Sequence, residues 1–201
     1  MLKLESTATA AAMSAVDAIY ERRSVRSYRA KTVDRRVVTA LLDAAVQAPT
    51  AMHEEPWAFV VIQDRDTLRR LSEAALKSLR DRETGLHLPR GSQGFTLPEN
   101  VFYDAGTLIV IYGKPLGPFV AADCWLAAEN LMLAARAMGL GSCVIGLAAA
   151  ALDSPEWKAE LKVPAGLTAY APIIVGEPSA ETPATGRREP EVLSWRTGLS
   201  A

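Results

Sequence analysis

Residues that mark most catalytic and metal centres are scarce in this chain of 201 residues. It contains two cysteines and two histidines. Cys124 and Cys143 do not have CxxC spacing, so we expect unpaired core thiols and a reducing, cytoplasmic location. His53 and His87 are far apart, and the sequence around His53 is not the HExxH pattern of zinc enzymes. The sequence therefore predicts no metal site.

Standard nucleophile and nucleotide motifs are also missing. Ser142 is not part of a GxSxG elbow, because Leu140 occupies the first glycine position. A dinucleotide fingerprint beginning at Gly139 fails, because Val144 stands at the third glycine position and the stretch follows a helix instead of a strand. No P-loop is present. These glycines fit the C-terminal cap of a helix.

The chain has no excess of charge and no long apolar run. Its formal net charge is -1, with 49% hydrophobic and 22% charged residues. This balance argues against nucleic acid or an anionic membrane as a partner, and no run is long enough to cross a bilayer. The first dozen residues do not have the pattern of a signal peptide. We expect residues 1–13 to be a flexible extension and residues 14–201 to form one domain.

Hydrophobic periodicity predicts alternating helices and strands. Helices are expected from Ser14 to the arginines at 22–23, from Asp34 to Pro49, from Asp66 or Thr67 to about residue 80, from Phe119 to Met138, and from Ser154 to Pro164. Strands are expected at 58–62, 107–112 and 170–176, with 143–146 as a short strand or an extended turn. Residues 80–100 read as a long irregular loop. The pattern indicates an α/β or α+β layered domain.

Two features leave alternatives open on the residues alone. The helix at 119–138 is apolar almost all round, so it is either the central helix of the fold or part of a subunit contact. Residues 21–28, which we call the basic segment, carry three arginines and two serines. Such a segment either binds a phosphate through charge-assisted hydrogen bonds or is a solvated helix end favoured by the helix dipole.

Five motifs in the right order resemble the nitroreductase family of FMN-dependent oxidoreductases, over nearly the whole chain. They are RRSVRSY at 22–28, APTAMHEEPW at 48–57, DAGTLIV at 104–110, NLMLAA at 130–135 continued by GLGSCVIG at 139–146, and REP at 188–190. The resemblance implies a three-layer α+β fold with a mostly antiparallel central sheet flanked by helices. It also implies a homodimer of domain-swapped style with FMN at the subunit interface.

The resemblance assigns the cofactor-binding residues. Arg22, Arg23, Ser24 and Arg26 would hold the phosphate and ribityl chain of FMN, joined by Arg188. A loop from the partner subunit would lie against the flavin, comprising Pro49, Thr50, Ala51 and His53. Val144, Ile145 and Gly146 would run beside the isoalloxazine ring, with the N–H of Gly146 facing N5. No catalytic side chain is implied, since a flavin carries the hydride chemistry itself.

The implied activity is hydride transfer from NADH or NADPH through FMN to a nitroaromatic, a quinone or a similar electron-poor acceptor, by a ping-pong mechanism. Two departures leave the substrate open: His53 and Glu55 stand where the family has Asn and Gln, and residues 77–98 match no family motif. His53 and Phe95 are candidate substrate contacts, with His87 and Arg90. The alternatives are a flavin-binding carrier or sensor without turnover, and a specialised reductase, dehydrogenase or dehalogenase-like member.

Overall fold

Local sequence signals set the helix boundaries in the computed structural model, which describes residues 13–82 and 97–197. The N-caps Ser14, Asp34 and Ser154 each accept a hydrogen bond from a backbone N–H of the first turn. The described helices are α1 (Ala15–Glu21), α2 (Arg35–Ala45), α3 (Arg65–Arg82), α4 (Val120–Ala137), α5 (Ala149–Leu152) and α6 (Pro155–Glu160). None of them is long and apolar enough to cross a membrane.

Four strands form one antiparallel sheet: β1 (Trp57–Ile62), β2 (Thr107–Gly113), β3 (Gly141–Val144) and β4 (Thr168–Gly176). Their order across the sheet is β1-β2-β4-β3. Residues 143–146 were expected as a strand or a turn, and the structure contains both, since β3 ends at Val144 and a 3₁₀ turn follows at Gly146–Ala148.

Side chains of the central strands alternate between two hydrophobic cores, one on each face of the sheet. Leu108, Val110 and Tyr112 pack with α3, α5 and α6 on one face. Ile109 and Ile111 pack with α2 and α4 on the other face. This strict alternation is what an antiparallel strand buried on both faces requires. The predicted three-layer α+β architecture is confirmed.

Several predicted element boundaries were wrong. Helix α2 ends at Ala45 and α6 ends at Glu160, before Pro49 and Pro164, which were expected to end them. Helix α3 continues to Arg82, so residues 80–82 are helical instead of the start of the loop expected at 80–100, since no Gly or Pro interrupts the helix before Gly85. Strand β4 begins at Thr168 instead of Tyr170. The apolar residues Val16, Ile19 and Tyr20 of α1 are more than half exposed and contribute nothing to either core. The expected extension at 1–13 lies outside the described residues except for Met13.

Helix α4 packs across one whole face of the sheet. Its buried side chains are Val120, Asp123, Cys124, Ala127, Ala128, Leu131, Met132 and Ala135. Trp125 and Leu126 on the same helix are nearly half exposed. Both sequence-based alternatives therefore describe part of α4: one face is central to the fold, and the other is an apolar surface that another chain could cover.

Candidate functional site

The basic segment forms an irregular extra strand along the outer edge of β3. Ser24 forms a parallel bridge with Ser142, and the Val25 N–H donates to the Ser142 carbonyl at 3.0 Å. Val25 is buried while Ser24 and Arg26 on either side of it are exposed, as expected where side chains alternate along an extended chain. The segment is therefore held by backbone hydrogen bonds, and its polar side chains remain accessible.

Glycine at position 141 allows this close approach. A Cβ on Gly141 would lie 2.7 Å from Cγ2 of Val25, closer than real Cβ contacts. Tyr28 fixes the other end of the segment, because its hydroxyl donates to the Val25 carbonyl at 2.8 Å. Gly141 was expected to belong to a helix cap and to the GLGSCVIG motif, but no spacing rule connects it with Val25. Gly139 does cap α4, with a φ of 75°.

Three of the predicted phosphate ligands gather around one buried thiol, that of Cys143. Burial raises the pKa of Cys143, while the Arg26 guanidinium, a hydrogen bond with Ser24 and the Arg22 guanidinium lower it, in that order of size. Ser24 is bridged to Ser142, the neighbour of Cys143, and Arg22 and Arg26 lie two residues to either side of Ser24. Arg22, Ser24 and Arg26 therefore place a hydroxyl and two positive charges along this edge of β3.

Arg22 and Arg23 already have partners within the chain. Arg22 pairs with Glu129 of α4, with 3.6 Å between Nε and Oε1. Arg23 Nη1 donates to the carbonyls of Tyr20 at 2.6 Å and Arg22 at 2.9 Å, so Arg23 caps the end of α1 as the helix-end alternative predicted. Arg23 therefore fits the helix-end alternative, and phosphate binding by Arg22, Ser24 and Arg26 stays a prediction.

Arg26 lies over an aromatic ring that sequence analysis did not identify. Its Cζ atom is 6.0 Å from the ring centroid of Tyr103, within the range of a cation–π contact. Tyr103 has a φ of 50°, and its N–H donates to the Asn100 carbonyl at 3.1 Å. No motif marks this tyrosine, since its relation to Arg26 arises only when the turn before β2 folds.

The turn after β3 exposes backbone beside the basic segment. The Ile145 N–H donates to the Pro172 carbonyl at 2.8 Å, which fixes the turn to β4. Gly146 is exposed, and a Cβ at this position would meet nothing within 4 Å. Among residues 13–82 and 97–197, the Gly146 N–H has no protein acceptor. Gly146 thus provides open space and an available donor close to Ser142 and Cys143, whereas Val144 is half-buried and Ile145, predicted to run beside the flavin ring, is buried in the core.

The loop carrying Pro49, Thr50, Ala51 and His53 lies at the opposite end of the sheet. It leads into Trp57, which is opposite Gly113, itself opposite Thr168 at the start of β4. Ser142 is opposite Val175, near the end of β4. Seven residues of strand separate these positions, which corresponds to roughly 24 Å. One chain therefore does not bring this loop to the basic segment.

The remaining candidates do not join the cluster either. Arg188 is exposed on the C-terminal tail and forms no hydrogen bond or ion pair within the part of the chain that the structure describes. His87, Arg90 and Phe95 lie outside the described residues. In the described ranges, no group of three or more His, Cys, Asp or Glu residues could hold a metal ion.

A cavity of about 670 Å³ lies beside the cluster. It opens between the ends of α1 and α4 and the tail at 177–184, and Arg22, Arg23 and Ser142 are in its wall. Its volume is typical of a small-molecule or cofactor site. Ser24, Arg26 and Gly146 are not in the wall, so the cavity adjoins only one side of the candidate site.

Comparisons with known proteins identify the family. The sequence model of the Nitroreductase family matches residues 19–176. The 5,6-dimethylbenzimidazole synthase of Rhodospirillum rubrum is 31% identical over 199 residues, which cover 90% of this chain and 89% of the relative. The NADH dehydrogenase of Thermus thermophilus is 41% identical over 68 residues, covering 34% and 33%.

A solved structure extends the similarity to three dimensions. The crystal structure of a nitroreductase with bound FMN from Bacteroides fragilis superimposes with a TM-score of 0.76 at 25% identity, covering 92% of this chain and 100% of that one. The fold, the motif order and the family model all indicate the same family. The chain belongs to the nitroreductase family.

Proposed function

We propose that this protein is an FMN-dependent oxidoreductase that uses NADH or NADPH to reduce an electron-poor acceptor such as a nitroaromatic or a quinone. The observation that carries the proposal is the position of Arg22, Ser24 and Arg26 along the edge of β3, the strand that leads directly into the open turn at Gly146. When bound, FMN supplies the hydride chemistry, taking two electrons from the nicotinamide and giving them to the acceptor in a ping-pong cycle.

The phosphate end of FMN fits the donor set of the basic segment. Arg22 and Arg26 supply two guanidinium groups and Ser24 supplies a hydroxyl, which match a dianion. Arg188 on the exposed tail is available to join them, and Arg23 keeps guanidinium donors that the α1 carbonyls do not use. Phosphate binding would replace the Glu129 carboxylate as the nearest anion to Arg22.

The ring end fits the turn after β3. Open space over Gly146 leaves room for a flat ring, and its N–H would donate toward N5. The half-buried Val144 would provide apolar contact at one edge of the ring, while Ile145 would support the turn from within the core. No general base is assigned, and the role of the chain is to bind, orient and adjust charge.

A homodimer would complete the site, since the loop with Pro49, Thr50, Ala51 and His53 lies at the opposite end of the sheet from the basic segment of its own chain. The exposed apolar residues of α1 and α4 offer a surface for a second copy. Replacing Tyr20 and Trp125 with Asp should give a monomer in light scattering and weaken FMN binding. A monomeric wild-type protein that binds FMN would contradict the assembly.

The absorption spectrum of the purified protein tests the cofactor. We expect flavin bands, bleached by NADH or NADPH without oxygen and restored by a quinone. Replacing both Arg22 and Arg26 with Ala should weaken FMN binding by at least about a hundredfold, because each charge-assisted hydrogen bond contributes about 1.5–3 kcal/mol. Arg35→Ala on exposed α2 is the matched control. A colourless protein that takes up no FMN would refute the proposal.

A specialised activity is the second candidate, and the loop at 50–55 favours it. His53 is exposed and has a left-handed backbone, and Glu55 adds a charge beside it. The relative named 5,6-dimethylbenzimidazole synthase indicates that similar chains serve dedicated reactions. His53→Asn should change the preference among acceptors, whereas an unchanged profile would count against this candidate. A flavin carrier without turnover would bind FMN but would not be reoxidised quickly by any acceptor.

A further inference from the structure

The loop at residues 50–55 has a conformation that its sequence does not favour. Met52, His53 and Glu55 have φ values of 54°, 58° and 45°. This left-handed region is disfavoured for side chains other than glycine, and such residues persist only when neighbouring structure holds them. Met52 through Glu55 are exposed, so packing does not provide that support. The loop therefore needs a specific attachment.

One buried carboxylate provides the attachment. Asp123 Oδ1 accepts the Ala51 N–H at 3.1 Å, and Asp123 is only 5% exposed. Within the described residues, this is the only hydrogen bond that joins residues 50–55 to another part of the chain; the others are local, from Glu54 N–H to the Ala51 carbonyl and from His53 N–H to the Thr50 carbonyl. An acidic side chain on the buried face of an apolar helix is costly unless it is hydrogen-bonded.

Helix α4 is a rigid frame for this contact. Its buried face packs on the sheet around Asp123. Further along, Glu129 pairs with Arg22 and Arg136 Nη2 contacts Glu21 Oε2 at 2.5 Å. One helix thus holds the loop near its first turn and the end of α1 near its last turn.

We propose that Asp123 is a positioning residue, which holds the loop at 50–55 in the conformation that presents Ala51 and His53 to the flavin and its substrate. The inference rests on the proposed function, since the loop is assigned to the flavin site there. Asp123 acts through the Ala51 N–H and touches neither cofactor nor substrate.

Three variants separate the hydrogen bond from charge and from general stability. Asp123→Ala removes the acceptor. Asp123→Asn keeps a carbonyl oxygen at the same place. Ala51→Pro removes the donor and leaves Asp123 intact; Ala51 opens a 3₁₀ turn, and Thr50, at φ -128° and ψ 148°, has the extended conformation preferred before proline. Asp43→Ala, an exposed carboxylate on α2, is the control.

Two measurements follow on each variant: hydrogen exchange of the peptide containing residues 50–55 without FMN, and FMN affinity by flavin fluorescence. Asp123→Ala and Ala51→Pro should both speed exchange in this peptide and weaken FMN binding about tenfold, as expected for one lost hydrogen bond of about 1.4 kcal/mol. The FMN affinities of Asp123→Asn and Asp43→Ala should stay within about threefold of the wild-type affinity.

The proposal is overturned if Asp123→Ala and Ala51→Pro keep wild-type exchange and affinity, or if Asp123→Asn is as defective as Asp123→Ala. If Asp123→Ala does not fold, the proposal is tested by comparing the exchange and the FMN affinity of Ala51→Pro with those of Asp43→Ala. A wild-type protein that binds no FMN refutes the proposed function instead, while the exchange measurement still tests whether Asp123 holds the loop.

Discussion

Replacing Gly141 with alanine should separate the basic segment from β3. The added Cβ would lie 2.7, 2.8 and 2.9 Å from three carbons of Val25. Because non-bonded carbons pack at about 3.5–4.0 Å, Val25 would have to retreat by about 0.8 Å. The Val25 N–H to Ser142 carbonyl distance, now 3.0 Å, would approach about 3.8 Å, beyond hydrogen-bond range.

The expected cost combines overpacking and a lost hydrogen bond. Overpacking in a close-packed site costs about 1–3 kcal/mol, and the hydrogen bond adds about 1 kcal/mol, giving about 2–4 kcal/mol. For a chain of this size that loss lowers Tm by roughly 4–16 °C. The displaced Ser24 and Arg26 should also weaken FMN binding on the proposed function.

A double-mutant cycle with Val25→Ala tests the cause. Thermal unfolding would be followed by circular dichroism for both single variants and the pair. Because a smaller residue at position 25 makes room for the new Cβ, the double variant should be more stable than the two single losses predict, by about 1 kcal/mol or more. Additive losses, or a Gly141→Ala variant with unchanged Tm, would refute the reasoning.

The remaining predictions concern stability away from the candidate site. Asp34→Ala removes the acceptor of the Arg36 N–H and should cost about 1 kcal/mol in urea unfolding, with Asp34→Asn close to the wild type. Burial raises the pKa of Cys124 to about 11. Its neutral thiol therefore stabilises the folded state below the ordinary pKa of cysteine, and this contribution is lost as the pH rises towards 11. Because Cys124→Ala removes the titrating group, the variant should show a smaller fall in Tm above about pH 9. Gln63→Leu should cost about 1–2 kcal/mol in the same urea assay, because its amide donates to the Val33 carbonyl and the buried Thr107 hydroxyl; no loss would contradict this.

Features encoded within a few residues were predictable. The caps at Asp34 and Ser154 follow from side-chain chemistry next to a periodic apolar run, whereas α2 ends at Ala45, before the stop expected at Pro49. The apolar runs of β2 and β4 were found because a strand buried on both faces must be apolar throughout. The run of β1 is equally apolar, although β1 is an edge strand and is only partly buried. The resemblance supplied the antiparallel arrangement, which such runs do not contain.

Contacts between distant segments were not predictable from local patterns. The pairing of Ser24 with Ser142 depends on how the whole sheet closes, and Val25 against Gly141 depends on that pairing. Tyr103 reaches Arg26 only through a turn with left-handed backbone. Asp123 was visible as a rare charge on an apolar helix, but its partner at Ala51 was not.

The exposed apolar face of α1 shows what hydrophobic periodicity does not predict. Val16, Ile19 and Tyr20 have helical spacing, and the pattern predicts burial without specifying what buries them. In this chain neither core receives them. A single sequence records that a surface is apolar, and only the fold decides whether the covering surface belongs to the same chain.

The position of the loop at 50–55, at the opposite end of the sheet from the basic segment, has a thermodynamic consequence for the proposed assembly. If each flavin is bound by two chains, cofactor binding and subunit association are linked equilibria, and each strengthens the other by the same factor. Dilution would then release FMN, and added FMN would hold the subunits together. Cofactor content would report on protein concentration, so a sparse pool of chains would stay inactive without any separate inhibitor.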